Sequence, residues 1–332
     1  VKRLPFALLG FSLLFLALHL ALFVGQLGVP TESSRWVHEA LEIKERRARS
    51  IEGRKLLLIA GSNTLYSFDA ESLGRRLEVP AVNFGVHAGL RLEYILARAE
   101  PLVGPGDLVV LPLEYAAYNY DGTTSKVLAD FVASRDPAWV RRSASTFLNT
   151  AFSFPVVDLA KRNRARFRPE KRRIGHYDAS FISEFGDKTN TGAELLTRRH
   201  LAERDAQRPL SLRKFAPDSK AARLLDGFIR RCRERGAEVF LSFPVTMDFE
   251  DYHRGDFFAH AEERVDYFRA AGAVRLGGPR DFLLPRELFF NSLYHPSADG
   301  REIATRRLGD LLESHLADAL RPPDSPAAAP HR

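Results

Sequence analysis

Ser62 sits in the turn Gly61-Ser62-Asn63-Thr64, directly after a short apolar run, Lys55–Ala60. A strand that turns sharply into a helix leaves its tip hydroxyl exposed beside the unpaired N–H groups of the helix start. A nucleophile and a developing oxyanion can share such a point. Helix capping is the competing reading, since Ser is a favoured N-cap. A hydroxyl nucleophile also needs a base. His295 is the candidate, far downstream in Tyr294-His295-Pro296-Ser297-Ala298-Asp299-Gly300. Asn291 and Ser292 lie shortly before it, and Asp281 is a more distant carboxylate. Gly85, Glu114 and Asn119 each follow a further apolar run.

These residues are spaced by alternating strand-like and helix-like stretches. Lys55–Ala60 is bounded by charge and predicts a buried strand, followed by helical spacing over Leu65–Leu73. Val79–Asn83 predicts a second strand that ends in a Gly-rich turn, with a helix over Leu90–Leu102. Gly106–Tyr115 holds a third strand. Ser219–Arg235, Ala237–Pro244, Asp256–Ala271 and Val274–Gly277 resume the alternation, and Pro296–Leu320 predicts a closing helix with Pro296 near its first turn. Repeated strand–helix units imply a doubly wound parallel α/β sheet. In open sheets of this kind, functional groups lie beyond the carboxyl ends of the strands.

The chain has 332 residues, 45% of them apolar, and a net charge of +7. One cysteine, Cys232, excludes an internal disulfide. No Cys/His spacing suited to zinc is present, so neither a metal nor a cofactor is expected. Residues 1–31 predict a membrane anchor: Leu4 to Thr31 contains no Asp, Glu, Lys or Arg. The run is long enough to cross a bilayer. Lys2 and Arg3 precede it, which predicts a cytoplasmic amino terminus and an extracytoplasmic domain. A cleaved signal peptide is the rival, but Gly25-Gln26-Leu27-Gly28 matches a cleavage site poorly. Residues 32–54 are highly charged and predict a helical stalk.

Residues 121–215 break the strand–helix rhythm and predict an insertion within the domain of residues 55–320. The insertion holds a basic run from Lys161 to Arg173, which is expected to face membrane lipid or an acidic glycan, or else to be a solvated face. No aromatic interleaving accompanies it, and nucleic acid is not an expected partner. Residues 321–332 are rich in Pro and Ala and predict a disordered tail.

With these blocks in order, the chain resembles the SGNH (GDSL-like) hydrolase superfamily. Gly61-Ser62-Asn63 is similar to its first block, Asn83-Phe84-Gly85 to its second, Leu108–Asn119 stands at its third, and His295–Gly300 is similar to its fifth. The resemblance covers roughly residues 55 to 120 and 220 to 318. It implies a flavodoxin-like fold, Ser62 as nucleophile and His295 as base. It also implies an oxyanion site from the N–H groups of Ser62 and Gly85, with the Asn119 side chain. Glu114 is a candidate substrate contact. The family places an Asp three residues before the His; here that residue is Ser292, with Asn291 one further back, and Asn291 or Ser292 is the candidate orienting group. The anchored layout is similar to extracytoplasmic members that modify polysaccharides or cell-wall polymers. The expectation is therefore an acyl esterase or O-acyltransferase of the inner membrane, facing the periplasm or exterior. Its partners would be an acylated glycan or envelope polymer and an envelope polysaccharide machinery. A binding or scaffold protein with a decayed site is the alternative.

Overall fold

The apolar runs beside the chemistry-bearing turns form one parallel sheet of five strands. In a computed structural model, which describes residues 3–167 and 174–319, these are β1 Leu56–Leu58, β2 Ala81–Asn83, β3 Leu108–Leu111, β4 Glu238–Leu241 and β5 Ala273–Arg275. Their order is β2-β1-β3-β4-β5. Leu57 pairs with Val82 on one side and Val109 on the other, so β1 is an interior strand. Leu56, Leu57 and Leu58 are all buried. Both sheet faces are therefore covered, as parallel sheets require. A buried ion pair, Lys55 Nζ to Asp107 Oδ2 at 2.8 Å, ties the entry of β1 to that of β3.

Two helices precede the sheet, α1 Arg3–Gln26 and α2 Glu32–Ser50. Between β1 and β2 lie α3 Ser62–Ser67 and α4 Ala70–Leu77, and α5 Arg91–Ala99 leads to β3. Helical spacing over Leu65–Leu73 suggests one helix here, but Asp69 divides it. The Asp69 carboxylate accepts a hydrogen bond from Ser72 N at 2.8 Å and caps a new helix at Ala70. Between β3 and β4 come α6 Lys126–Arg135, α7 Pro137–Arg141, α8 Ala144–Ala151, α9 Val156–Ala165 and α10 Arg198–Asp205. Then α11 Lys220–Glu234 precedes β4 and α12 Ala259–Tyr267 precedes β5. A short antiparallel pair, β6 Phe289–Ser292 and β7 His295–Pro296, is followed by α13 Ala298–Ala319. The closing helix thus begins after Pro296, which is taken up by strand pairing.

Residues 32–54 do not stand off as a stalk. Val37, Ala40, Leu41, Lys44 and Ala48 recur at helical spacing and are all buried, so α2 packs into the domain beside α6 and β2. Glu42, Arg46 and Arg49 lie on its exposed face. Lys44 is fully buried, and its Nζ donates to the carbonyls of Asn83, at 2.8 Å, and Gly186. Burial pushes its pKa down to about 7. Only Lys161 to Phe167 of the basic run is among the described residues. The remainder of that run, and the tail at 321–332, lie outside them.

α1 is long and apolar enough to cross a membrane. Its residues Leu4 to Leu18 are exposed all round. From His19 onward it is seated on α8 and α9. His19 Nε2 hydrogen-bonds the Ala151 carbonyl at 3.0 Å, Asn163 Nδ2 donates to the Leu22 carbonyl at 2.8 Å, and Phe23 packs against Phe147 and Phe154.

Candidate active site

The turn after β1 is fixed from below by Glu114. This buried carboxylate accepts from Gly61 N at 3.2 Å and Asn63 N at 2.9 Å. Burial pushes its pKa up, against the pull of those two N–H groups. Both Glu114 oxygens are therefore spent on the turn, where sequence suggests a substrate contact. Asn63 is held as well: its Nδ2 donates to the Pro112 carbonyl and its Oδ1 accepts from Ser67 Oγ. Gly61 has no room for a side chain. A Cβ there would lie 2.5 Å from Glu114 Oε1 and 2.7 Å from Ala88 Cα. Between these anchors stands Ser62, half-buried at the first position of α3.

Ser62 Oγ lies 3.0 Å from His295 Nε2, across 233 positions of sequence. β1 carries the serine to the carboxyl edge of the sheet, and the β6–β7 pair carries the histidine there. His295 Nδ1 lies 2.9 Å from Asn291 Oδ1. Asn291 Nδ2 in turn faces Glu203 Oε2 on α10 at 3.4 Å. The carboxylate attracts the amide NH₂ and so turns the amide oxygen toward the imidazole. With Nδ1–H donating to that oxygen, Nε2 carries the lone pair and accepts from the Ser62 hydroxyl. Arg199 holds Glu203 below the usual carboxylate range, so Glu203 is an anion at neutral pH.

The imidazole is also held from the side. The Tyr66 ring stacks on it with centroids 4.0 Å apart and planes 7° apart. Tyr66 is fully buried, and its hydroxyl lies 2.7 Å from His176 Nε2. Tyr66 and Glu203 are the site residues that sequence reading missed. Tyr66 had a signal, since it lies one helical turn after Ser62 and so shares its face. Glu203 had none, for it stands in a charged surface helix. Burial, with smaller contributions from His87, His176 and Lys188, pushes the His295 pKa down to about 3. The imidazole is thus neutral across the physiological range, with its Nε2 lone pair turned to the Ser62 hydroxyl.

The remaining sequence candidates are placed otherwise. The Gly85 N–H is donated to Asn83 Oδ1 at 3.0 Å, so it does not stand free for an oxyanion. Gly85 instead permits close packing: a Cβ there would lie 2.5 Å from Leu65 N and 2.8 Å from the Gly61 carbonyl. Asn119 is exposed at the end of a 3₁₀ turn, Tyr115–Asn119, and makes no hydrogen bond to Ser62 or His295. Ser292 Oγ accepts from Tyr294 N, and Asp281 caps the turn at Gly278 N, so neither orients the histidine. Among the described residues, no hydrogen bond occupies the Ser62 N–H. The Ala88 backbone packs on Gly61, and its N–H too has no hydrogen-bond partner among the described residues.

No protein-family model matches this chain, and no curated protein is significantly similar to it. The arrangement can activate a serine hydroxyl and hold the correct tautomer of its base, while burial works against the imidazolium. Beside the Gly61 turn, a cavity of about 270 Å³ is lined mainly by apolar side chains, among them Leu92, Ile95 and Leu113.

Proposed function

We propose that this protein is a membrane-anchored, SGNH-like serine esterase or O-acyltransferase that acts on an acylated glycan or polymer of the cell envelope. The observation that carries the reading is the Ser62–His295–Asn291 chain, with contacts of 3.0 and 2.9 Å. Ser62 Oγ attacks the ester carbonyl as its proton passes to His295 Nε2. The tetrahedral adduct collapses, the bond to the leaving alcohol breaks, and His295 returns the proton to that alcohol. Water or an acceptor hydroxyl then attacks the acyl-serine by the reverse path. The Ser62 N–H, with the N–H of Ala88 beside Gly61, is the candidate donor pair for the developing oxyanion. The apolar cavity beside Gly61 has room for a short acyl chain.

Asn291 supplies orientation but no charge. In the serine proteases, replacing the triad Asp by Asn costs about 10⁴ in rate, chiefly through the tautomer. Here the tautomer is protected by Glu203 acting on the Asn291 amide. The Tyr66 face supplies part of the missing electrostatics, since an aromatic face attracts a cation. Hydrolysis of an activated acetyl ester by the full chain in detergent tests the reading. Ser62→Ala should lower kcat/KM by at least about 10³-fold. Its folding should be nearly unchanged, within about 0.5 kcal/mol. An unchanged rate would remove the enzyme reading.

The second reading is a binding or scaffold protein with a decayed site. The absent carboxylate at Asn291 and the engaged Gly85 N–H favour it. Under that reading, glycan binding survives Ser62→Ala and no esterase activity is found in either form.

A further inference from the structure

We propose that α8 and α9 form a collar immersed in the outer interface of the bilayer, where they fix the height and orientation of the domain on the lipid. The proposal rests on the reading of α1 as a membrane anchor. Its first support is a length mismatch. The freely exposed part of α1, Leu4 to Leu18, is about 22 Å long at about 1.5 Å per residue. The hydrocarbon core of a bilayer is about 30 Å thick. The exposed stretch therefore falls roughly 8 Å short, and helix tilt only widens the gap. Arg3 closes the other end of the run, so no apolar length is available there. The missing depth must come from His19 to Gln26, the segment seated on α8 and α9. Whatever covers that segment enters the membrane with it.

The second support is the outer surface of the collar. Leu148 is 44% exposed, Phe152 58% and Val157 63%. Phe152 stacks on His19, with ring centroids 5.2 Å apart, so this surface is continuous with the anchor. Lys161, Arg164 and Arg166 are exposed on α9 and just past it, and Arg166 Nη2 donates to the Gly25 carbonyl at 2.6 Å. Apolar side chains with cations beside them are the composition of an interfacial element, and anionic headgroups are the matching lipid chemistry. His19 would be costly in the hydrocarbon on a bare helix. Its bond to the Ala151 carbonyl satisfies it within the collar.

The test uses the full chain in lipid nanodiscs of phosphatidylcholine and phosphatidylglycerol. Single nitroxide labels are placed at Phe152→Cys and, independently, Val157→Cys, because one variant may fold poorly. The native Cys232 is buried and remains unlabelled. Leu8→Cys marks the anchor and Arg223→Cys the aqueous surface. Accessibility to oxygen against a water-soluble nickel chelate gives depth. The account predicts Phe152→Cys and Val157→Cys about 5–10 Å inside the headgroup boundary, with Leu8→Cys deep and Arg223→Cys in water. A deep Leu8→Cys with both collar labels as aqueous as Arg223→Cys overturns the collar and leaves the anchor standing. Exclusion of both reagents from the collar labels also overturns it, in favour of a second protein copy. An aqueous Leu8→Cys overturns the anchor, and the collar with it.

Discussion

The imidazole of His295 lies flat on the ring of Tyr66, 4.0 Å between centroids and 7° from parallel. This contact both sets the plane of the histidine and places an electron-rich face where the imidazolium would form. Tyr66→Phe keeps the face and loses only the hydroxyl bond to His176, so kcat should change little. Tyr66→Leu removes the face. An aromatic–cation contact of about 0.5–2 kcal/mol corresponds to a loss of roughly 2- to 30-fold in kcat. Steady-state esterase kinetics of the two variants check this split, with circular dichroism to verify folding, because Tyr66 is a large buried side chain.

Asn291 and Glu203 should behave as a coupled pair. Asn291→Asp alone puts a carboxylate beside His295 but turns another oxygen toward Glu203, where the amide now donates at 3.4 Å. Two facing carboxylates oppose each other's ionisation. The gain from Asn291→Asp alone should therefore be small. Adding Glu203→Gln restores a donor, and the double variant should exceed Asn291→Asp by up to about tenfold in kcat/KM. The new negative charge also raises the His295 pKa from about 3 toward the ordinary histidine range. The acid limb of the kcat/KM profile should accordingly move to higher pH in the double variant.

How much of this was legible in sequence depends on what each residue faces. The sheet strands are short, but parallel strands are buried on both sides, so they appear as unbroken apolar runs such as Leu56–Leu58 and Leu108–Leu111. The order of Ser62 and His295 in the chain, each beside an element end, was likewise readable. The packing of α2 was written in the spacing of Val37, Ala40, Leu41, Lys44 and Ala48, yet the surrounding charge hid it. The fate of the Gly85 N–H was not readable, because it turns on the rotamer of Asn83. Glu203 was not readable either, since its contact with Asn291 is made by a helix 88 positions away.

Stability should fall on the acid side through the buried histidines. Burial pushes His295 down to about 3 and His176 to about 4. The unfolded chain takes up these protons below about 6.5, while the folded chain does not. The contribution is thus complete above about pH 6.5 and is lost as pH falls toward 4 and 3. Glu114 acts in the opposite sense, since its folded pKa is raised. The comparison is therefore a difference: denaturant midpoints of the wild type and His295→Gln between pH 7.5 and 4. The wild type should lose more stability than His295→Gln over that range. Parallel curves would remove His295 as the source.

The central claim is that Ser62 is a nucleophile activated by His295. The most direct measurement is the reaction of the full chain with a fluorophosphonate, followed by intact mass and peptide mapping. The account predicts one adduct, on Ser62, that is absent in Ser62→Ala and formed far more slowly in His295→Ala. An unmodified protein, or an adduct that persists in Ser62→Ala, would contradict it.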